Sequence, residues 1–579
     1  MTREMTPKRA QTIIDQFHKY EALYATQGVG RRSFLKAIAA GTAAATVLPT
    51  LVAGGVASAA EVAQAQSDAI RAQDASPAAT PGGTVIIASS GEAAGLNPLT
   101  TNDSEGTFRI NQLFDQLVRL DLETLEVKPN IAKSWEVSED NLTYTFALEE
   151  NITFHDGTPL TANDVAFTLQ GILTKDVASP FLSTFSAIAG AAEFTEGTAD
   201  TVSGIEVIDD HTIAITLSEP NAPFLAGLRN VRPLPQHLLD GKSLTEDAFF
   251  QAPIGAGPFT FTSWTSGTDF VAAKNASYWK ADRPYLDGFT HRTIADLQTL
   301  GVALQTGEVQ ASEYALPTQA EQFQAESTLT VLNKPEGKDI NGFAFGQNNN
   351  EVLKDVRVRK AIALALDAEA FVEDFLLGLG TTAVGPIAAS NWAFDTELAA
   401  IPYDPDQAAA LLEEAGVGEI TLTATTNSGN QFREDWVTFT QQSLAEFGIT
   451  IEPDIKEWTQ VVADLTNGTF DLIAPTYTGA LVDPDELYDT LHSNGSRNVK
   501  GYANPELDAL LEEGRVTLDL EARKEIYKQV QAIALEDVPV YWAWNRPFIS
   551  VISTDYQGWT NTVFWVYDEL ENWSKVAAE

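Results

Sequence analysis

The sequence predicts an α/β protein, and three observations carry that reading. Strand and helix patterns alternate from about residue 335 to 480, the mark of a sheet with some parallel strands joined by helical crossovers. Elsewhere apolar residues recur with a period of two in some stretches and near 3.6 in others, with no short internal repeat. The chain has 579 residues and no cysteine. A large apolar core therefore has to hold it, not disulfides or cysteine-bound metal.

In chain order, Thr84–Ala88 is a β-branched run and reads as a buried strand. Residues 91–97 read as a loop. Phe108, Leu113, Phe114, Leu117 and Val118 share a helical face. Leu142–Leu148 alternates as a half-buried strand does. His155-Asp156-Gly157-Thr158-Pro159 is a turn, and Thr161 with Asp164 three residues later forms a capping box at a helix start. Residues 205–215 read as a hairpin. Ile254-Gly255-Ala256-Gly257-Pro258-Phe259 is a glycine-punctuated turn. It lacks the Lys-Ser/Thr pair of a phosphate loop and opens no helix.

Residues 352–366 read as a helix, as do 404–415, with Pro405 in the first turn and Gly416 as the stop. Residues 420–425, 449–455 and 471–474 read as strands; 432–447 and 461–466 read as helices.

The amino terminus speaks to location. Arg31-Arg32-Ser33-Phe34-Leu35-Lys36 precedes a mildly apolar run that is broken by Pro49, Gly54 and Gly55 and ends in the small-residue site Ala57-Ser58-Ala59. This order resembles a twin-arginine (Tat) export signal rather than a membrane anchor. Cleavage after Ala59 leaves 520 residues. Residues 1–59 are then the signal peptide, and 60–81, rich in Ala, Gln, Ser and Pro, a flexible tether.

The formal net charge is −44. The leader carries seven Lys/Arg and three Asp/Glu, so the mature part stands near −48. Such a body repels nucleic acid and anionic lipid, whose binding depends on cationic phosphate contacts. The surplus acids are spread along the chain, as in proteins adapted to salt, and can also steer cationic ligands.

Eight segments in order carry a family likeness. They are Leu113-Phe114-Asp115-Gln116-Leu117-Val118, 129–135, the block 143–165 with its His-Asp-Gly-Thr-Pro turn, 254–259, 283–288, 304–309, 355–362 and 403–406. Together they resemble the family-5 extracytoplasmic solute-binding proteins of ABC transporters, the group of dipeptide-, oligopeptide-, nickel- and opine-binding proteins. The likeness covers essentially all of 82–575.

It implies two α/β lobes joined by hinge strands, with an extra subdomain on lobe I. Lobe I would comprise 82–121, 229–332 and 541–579, the subdomain 122–228 and lobe II 333–540. It further implies a periplasmic monomer without a cofactor. That protein would hold a small-molecule or peptide ligand in the interlobe cleft and hand it to an ABC permease and its ATPase. The Tat translocase would be a transient partner.

The ligand loops are expected beyond the carboxyl ends of strands. One is Tyr477-Thr478-Gly479-Ala480-Leu481-Val482-Asp483. In peptide-binding relatives the residue matching Tyr477 is tryptophan, and that matching Ala480 is an aspartate that pairs with the peptide ammonium. Alanine cannot do this, so Asp483 or Glu92 would have to substitute, or the ligand lacks a free amine. A second loop holds Asn427 and Ser428 with Arg433 just inside the helix, a set suited either to a carboxylate or polyol or to plain capping. Trp392 and Asn97 lie in further candidate loops. The aromatics Tyr541, Trp542, Trp544, Phe564, Trp565 and Trp573 are expected in the lobe I core.

Six histidines show no metal-ligand spacing, and only His492 falls near a cleft segment. Nothing singles out a catalytic residue. A solute-sensing receptor and an exported hydrolase on a similar body stay open as alternatives. Turnover of a bound compound would mark the hydrolase, and a neighbouring permease and ATPase would mark the transporter component.

Overall fold

The computed structural model describes residues 80–577, apart from 123, 335–338, 475, 476, 479, 481, 496, 499, 500 and 563. The twin-arginine stretch, the cleavage site and nearly all of the tether fall outside the described residues. No described helix is long and apolar enough to cross a membrane.

Two seven-stranded sheets organise the two lobes. The first runs in the order Leu329–Lys334, Phe548–Ser553, Ala311–Ser312, Thr84–Ser89, Gly288–Thr293, Asp269–Lys274, Phe259–Trp264. Its centre is Thr84–Ser89, parallel to both neighbours, with Val85 and Ile87 fully buried. The second runs Thr381–Thr382, Val540–Asn545, Asp339–Phe345, Leu472–Ile473, Ile420–Asn427, Ile449–Lys456, with Tyr477–Thr478 also paired to Asp339–Phe345. Here Ile420–Asn427 is parallel to both of its neighbours, as the alternation in this region predicts.

A third sheet of four strands, Ala132–Val137, Thr143–Leu148, Thr212–Thr216 and Ile205–Asp209, forms the core of the extra subdomain. Residues 143–148 alternate as expected, Tyr144, Phe146 and Leu148 facing inward.

The chain passes from the first sheet to the second after Lys334 and returns between Asn545 and Phe548. On either side of the crossing the same two segments pair: Lys334 with Phe548 in the first sheet, Ile340 with Asn545 in the second. The chain thus crosses between the lobes twice at one place, flanked on both sides by paired antiparallel strands, an arrangement suited to hinge motion.

That crossing corrects one expectation. Tyr541, Trp542 and Trp544 lie in Val540–Asn545, which pairs with Asp339–Phe345, and they pack in the lobe II core. Trp565 and Trp573 do belong to the lobe I core.

A second difference lies in the first helix, α1 (Ser104–Leu113). It stops at Leu113, although apolar spacing continues to Val118, which opens a strand instead. The reason is tertiary. Buried Asp115 accepts hydrogen bonds from Arg119, Asn130, Tyr278 and Trp279 at 2.7–3.0 Å. Burial raises the carboxyl's pKa, but Arg119 and Lys280 more than offset this and hold it well below the usual range. Helical propensity is too weak to compete with such a network. In 352–366, likewise, Asp355 caps a new helix by accepting from the Arg357 amide at 2.9 Å, which divides the stretch into a short turn and a helix.

Two signature turns meet. His155 Nε2 lies 3.1 Å from the Gly257 carbonyl, and the Gly255 amide donates to His155 Nδ1 at 3.3 Å. The glycines are needed because the turn presses on the end of α1. A Cβ at Gly255 would stand 2.0 Å from the Leu113 carbonyl oxygen, and one at Gly257 2.5 Å from the Leu113 carbonyl carbon.

Candidate functional site

Helix α1 begins at Asp103, whose carboxylate accepts from the Gly106 amide at 2.8 Å. Ser104, Thr107, Phe108 and Asn111 follow at helical spacing and line one wall of a cavity of about 310 Å³. The far wall comes from Leu120, Phe181, Arg229, Arg232 and the carboxy-terminal Phe564 and Trp565. The opposite side of α1 is anchored through Arg109. Its guanidinium donates to His291 Nδ1 at 3.0 Å and to Glu92 at 2.6 Å.

Lobe II meets lobe I beside this cavity. Ala388 and Val482 pack with Leu120, and Phe564 packs against this cluster. Val482 follows Ala480 by two residues, which places that end of the loop against Leu120. Polar links join the subdomain and its lobe I junction to lobe II: Ala222 N donates to the Arg515 carbonyl at 2.9 Å, Ser183 Oγ meets Asp489 at 3.4 Å and Arg229 stands 3.6 Å from Glu486. Lobe II is therefore in contact with lobe I and the subdomain beside this cavity, whose own lining comes from lobe I and the subdomain.

At the hinge, Arg546 pairs with Asp339 at 3.0 Å, and its guanidinium lies 4.4 Å from the Phe548 ring, 5.6 Å from Tyr314 and 5.9 Å from Phe432. Arg546 so joins an aromatic of lobe I to one of lobe II.

The expected ligand residues take several roles. Ala480 is fully buried; its amide donates to the Pro386 carbonyl at 3.2 Å and its carbonyl accepts from Asn391 at 2.9 Å. Its methyl group adds to the lobe II core. Asp483 makes a two-bond ion pair with Arg523, at 2.8 and 2.6 Å. Burial lowers the pKa of Arg523, but Asp483 more than restores it and keeps the guanidinium charged. Trp392 lies 5.5 Å from that guanidinium and is only partly buried.

Glu92 accepts from the Gly267 amide at 2.5 Å and the Ala93 amide at 2.8 Å besides Arg109. Burial raises its pKa, and these partners bring it below the normal value. Neither Asp483 nor Glu92 is thus an unengaged carboxylate.

Asn427, Ser428 and Arg433 come together at one end of lobe II. Asn427 Oδ1 accepts from Arg433 at 2.6 Å, Ser428 Oγ lies 3.3 Å from Glu457 and the helix cap is Asn430. Burial pushes Arg433 down to about 10, with Asp339 partly countering. Asn97 faces inward instead: its amide donates to the Leu244 carbonyl and accepts from the Leu99 amide, so it shapes its own loop. The strand Tyr477–Thr478 pairs with Asp339 and Ile340. His492 stacks on Tyr488 at 4.2 Å and meets Glu512 at 3.3 Å. Among the described residues no three His, Asp or Glu side chains gather as a metal site.

Sequence reasoning passed over Arg229, Arg232 and Arg546, and assigned Phe564 to core packing. Arg232 sits between Val231 and Pro233 with nothing nearby in sequence to mark it.

The model of the bacterial extracellular solute-binding proteins, family 5 (middle), matches residues 126–498. The oligopeptide-binding protein AppA of Bacillus subtilis (strain 168) is 29% identical over 487 residues, covering 79% of this chain and 85% of the relative. The solved structure of AppA from Bacillus subtilis in complex with a nonapeptide has a TM-score of 0.78 at 26% identity, over 86% of this chain and 100% of that one. The binding protein AgaA from A. tumefaciens R10 in complex with agropinic acid has a TM-score of 0.74 at 25% identity, over 86% of this chain and 99% of that one. With the family model matching well over half of it, the chain belongs to the bacterial extracellular solute-binding proteins, family 5.

Proposed function

We propose that this chain is the exported substrate-binding component of an ABC importer. It captures a small polar solute between its lobes, closes about the two hinge crossings and presents the closed form to a membrane permease. The mature protein acts as a soluble monomer in the periplasm, delivered there by the Tat translocase, and performs no chemistry on its cargo. Family membership and the double hinge crossing support the transport role.

One observation carries the choice of cargo. At the loop where peptide-binding relatives place an aspartate, this chain has a fully buried alanine, and the two acids that could replace it already face arginines. A free α-ammonium docking at this loop would find no unengaged carboxylate there, and losing its hydration without a counter-charge costs several kcal/mol. The cargo is therefore amine-free or blocked at its amino end: an opine-like compound, a saccharide or an acylated peptide. The similarity to AgaA, solved with agropinic acid, supports such a cargo.

Thermal unfolding of the mature chain against free peptides, N-acetylated peptides, oligosaccharides, opines and nickel tests this reading. Cargo at a hundred times its Kd should stabilise the protein by about 2.7 kcal/mol. A shift with amine-free solutes alone is the expected result. A shift with free-amine peptides would overturn the cargo assignment.

A further inference from the structure

Arg232 is buried to 3% exposure and lines the cavity that faces α1. Its Nε donates to Asn111 Oδ1 at 2.8 Å and its Nη1 to the Asn230 carbonyl at 3.2 Å. Both acceptors are neutral. Among the described residues it makes no ion pair with a carboxylate, in a chain with more than twice as many acids as bases. Burial, with the cation Arg229 acting in the same direction, brings its pKa down to about 10.

The other arginines around the cavity face carboxylates, and the cavity's own acids, Asp568 and Glu569, are held by neutral donors. Arg119 pairs with Asp115 and Glu571, and Arg229 faces Glu486. Asp568 accepts from the Trp565 amide and Glu569 from Asn572. Buried Arg359 is satisfied by the carbonyls of four residues, Leu353, Lys354, Asp537 and Val538, whereas Arg232 has only two neutral acceptors, which leaves its charge costly until an anion completes it.

We infer that the cargo bears a carboxylate and that Arg232, with Arg229 beside it, is the residue that receives it. This rests on the solute-binding reading and adds the ligand's charge. A planar guanidinium with one amino group left for the cavity suits a carboxylate's two oxygens. Ser104, Thr107 and Asn111 on the facing helix supply partners for hydroxyl or amide groups, and Phe108, Phe564 and Trp565 supply apolar walls. At about 310 Å³ the space lies at the lower end of the roughly 300–1,000 Å³ common for small-molecule sites. The class is therefore a small hydroxylated or acylated acid with no free amine.

The test uses the mature chain, Arg232→Gln and two readouts. The first needs no ligand. If Arg232 awaits an anion, Arg232→Gln relieves a buried charge, and the unliganded protein should melt higher by roughly 1–3 °C. A fall of several degrees would mean that its bonds to Asn111 and Asn230 are structural, and would overturn the inference.

The second readout is calorimetry with agropinic acid, D-glucuronate and N-acetyl-alanyl-alanine, each beside its neutral methyl ester. At least one acid should bind, with its ester and the Arg232→Gln variant each weaker by about 100-fold. Equal binding of acid and ester, binding of esters alone, or no binding by any of the three acids would sink the carboxylate. Binding of neutral solutes only would leave the solute-binding reading standing; no binding by any acid, ester, peptide or sugar would remove both.

Discussion

His155 ties two turns a hundred residues apart, and its chemistry makes that tie sensitive to acid. The neutral ring with its proton on Nε2 fits both contacts, donating to the Gly257 carbonyl and accepting from the Gly255 amide. A second proton would go on Nδ1, where it would face the Gly255 N–H, donor against donor. Burial acts in the same direction and holds the pKa near 4, although Gly257 and Asp156 favour the charged form.

The unfolded chain takes up this proton near pH 6.5 and the folded chain only near 4. The tie is therefore at full strength above pH 6.5 and weakens as pH falls toward 4. The difference amounts to about 3 kcal/mol, most of it lost by pH 4.5. Denaturant unfolding of the wild type and of His155→Gln between pH 7.5 and 4.5 isolates it, because the many carboxylates titrate alike in both. The wild type should lose about 2–3 kcal/mol more than the variant across that range. Parallel pH profiles, or an NMR titration placing His155 near 6.5, would refute the argument.

Other expectations follow from single contacts. Gly255→Ala forces a methyl group into the Leu113 carbonyl, so its denaturation midpoint should fall by the equivalent of roughly 3 kcal/mol. Asp483→Ala strands a buried Arg523 and should cost about 3–5 kcal/mol in unfolding experiments, whereas Asp483→Ala with Arg523→Met should cost much less. An unchanged stability with lost binding would instead make Asp483 a ligand contact. Val482→Asp places a charge in the apolar contact between Leu120 and Ala388. Small-angle scattering should then show a larger radius of gyration, and the ligand-induced rise in melting temperature should shrink.

What the sequence disclosed and what it hid divide along a physical line. The strand at 143–148, the capping box at Thr161 and the parallel strands at 420–427 and 449–456 arise from neighbours in sequence, through side-chain period and local hydrogen bonds. They were legible for that reason. Helix α1 was read five residues too long because its end is set by Asp115, whose partners include Tyr278 and Trp279 far along the chain. The aromatic run at Tyr541–Trp544 was legible as core, but which core depends on strand pairing with 340–344, and no local pattern encodes that.

The same line runs through the site. Ala480 was legible as a missing charge because a family pattern supplies the expectation at that position. Whether Asp483 or Glu92 could replace it depended on Arg523, forty residues on, and Arg109, seventeen on, and spacing alone gave no reason to pair them. Arg232 is the converse case. Its significance lies in a partner it lacks, and the lack becomes visible only when its surroundings are assembled: Asn111 from α1, Asn230 beside it, and the like-charged Arg229. An acid-rich chain that leaves the buried Arg232 without a paired carboxylate among its described residues has kept open a position that cargo can fill. The missing aspartate at 480 and the unmatched arginine at 232 then point the same way, away from a cationic end group and toward an anionic one.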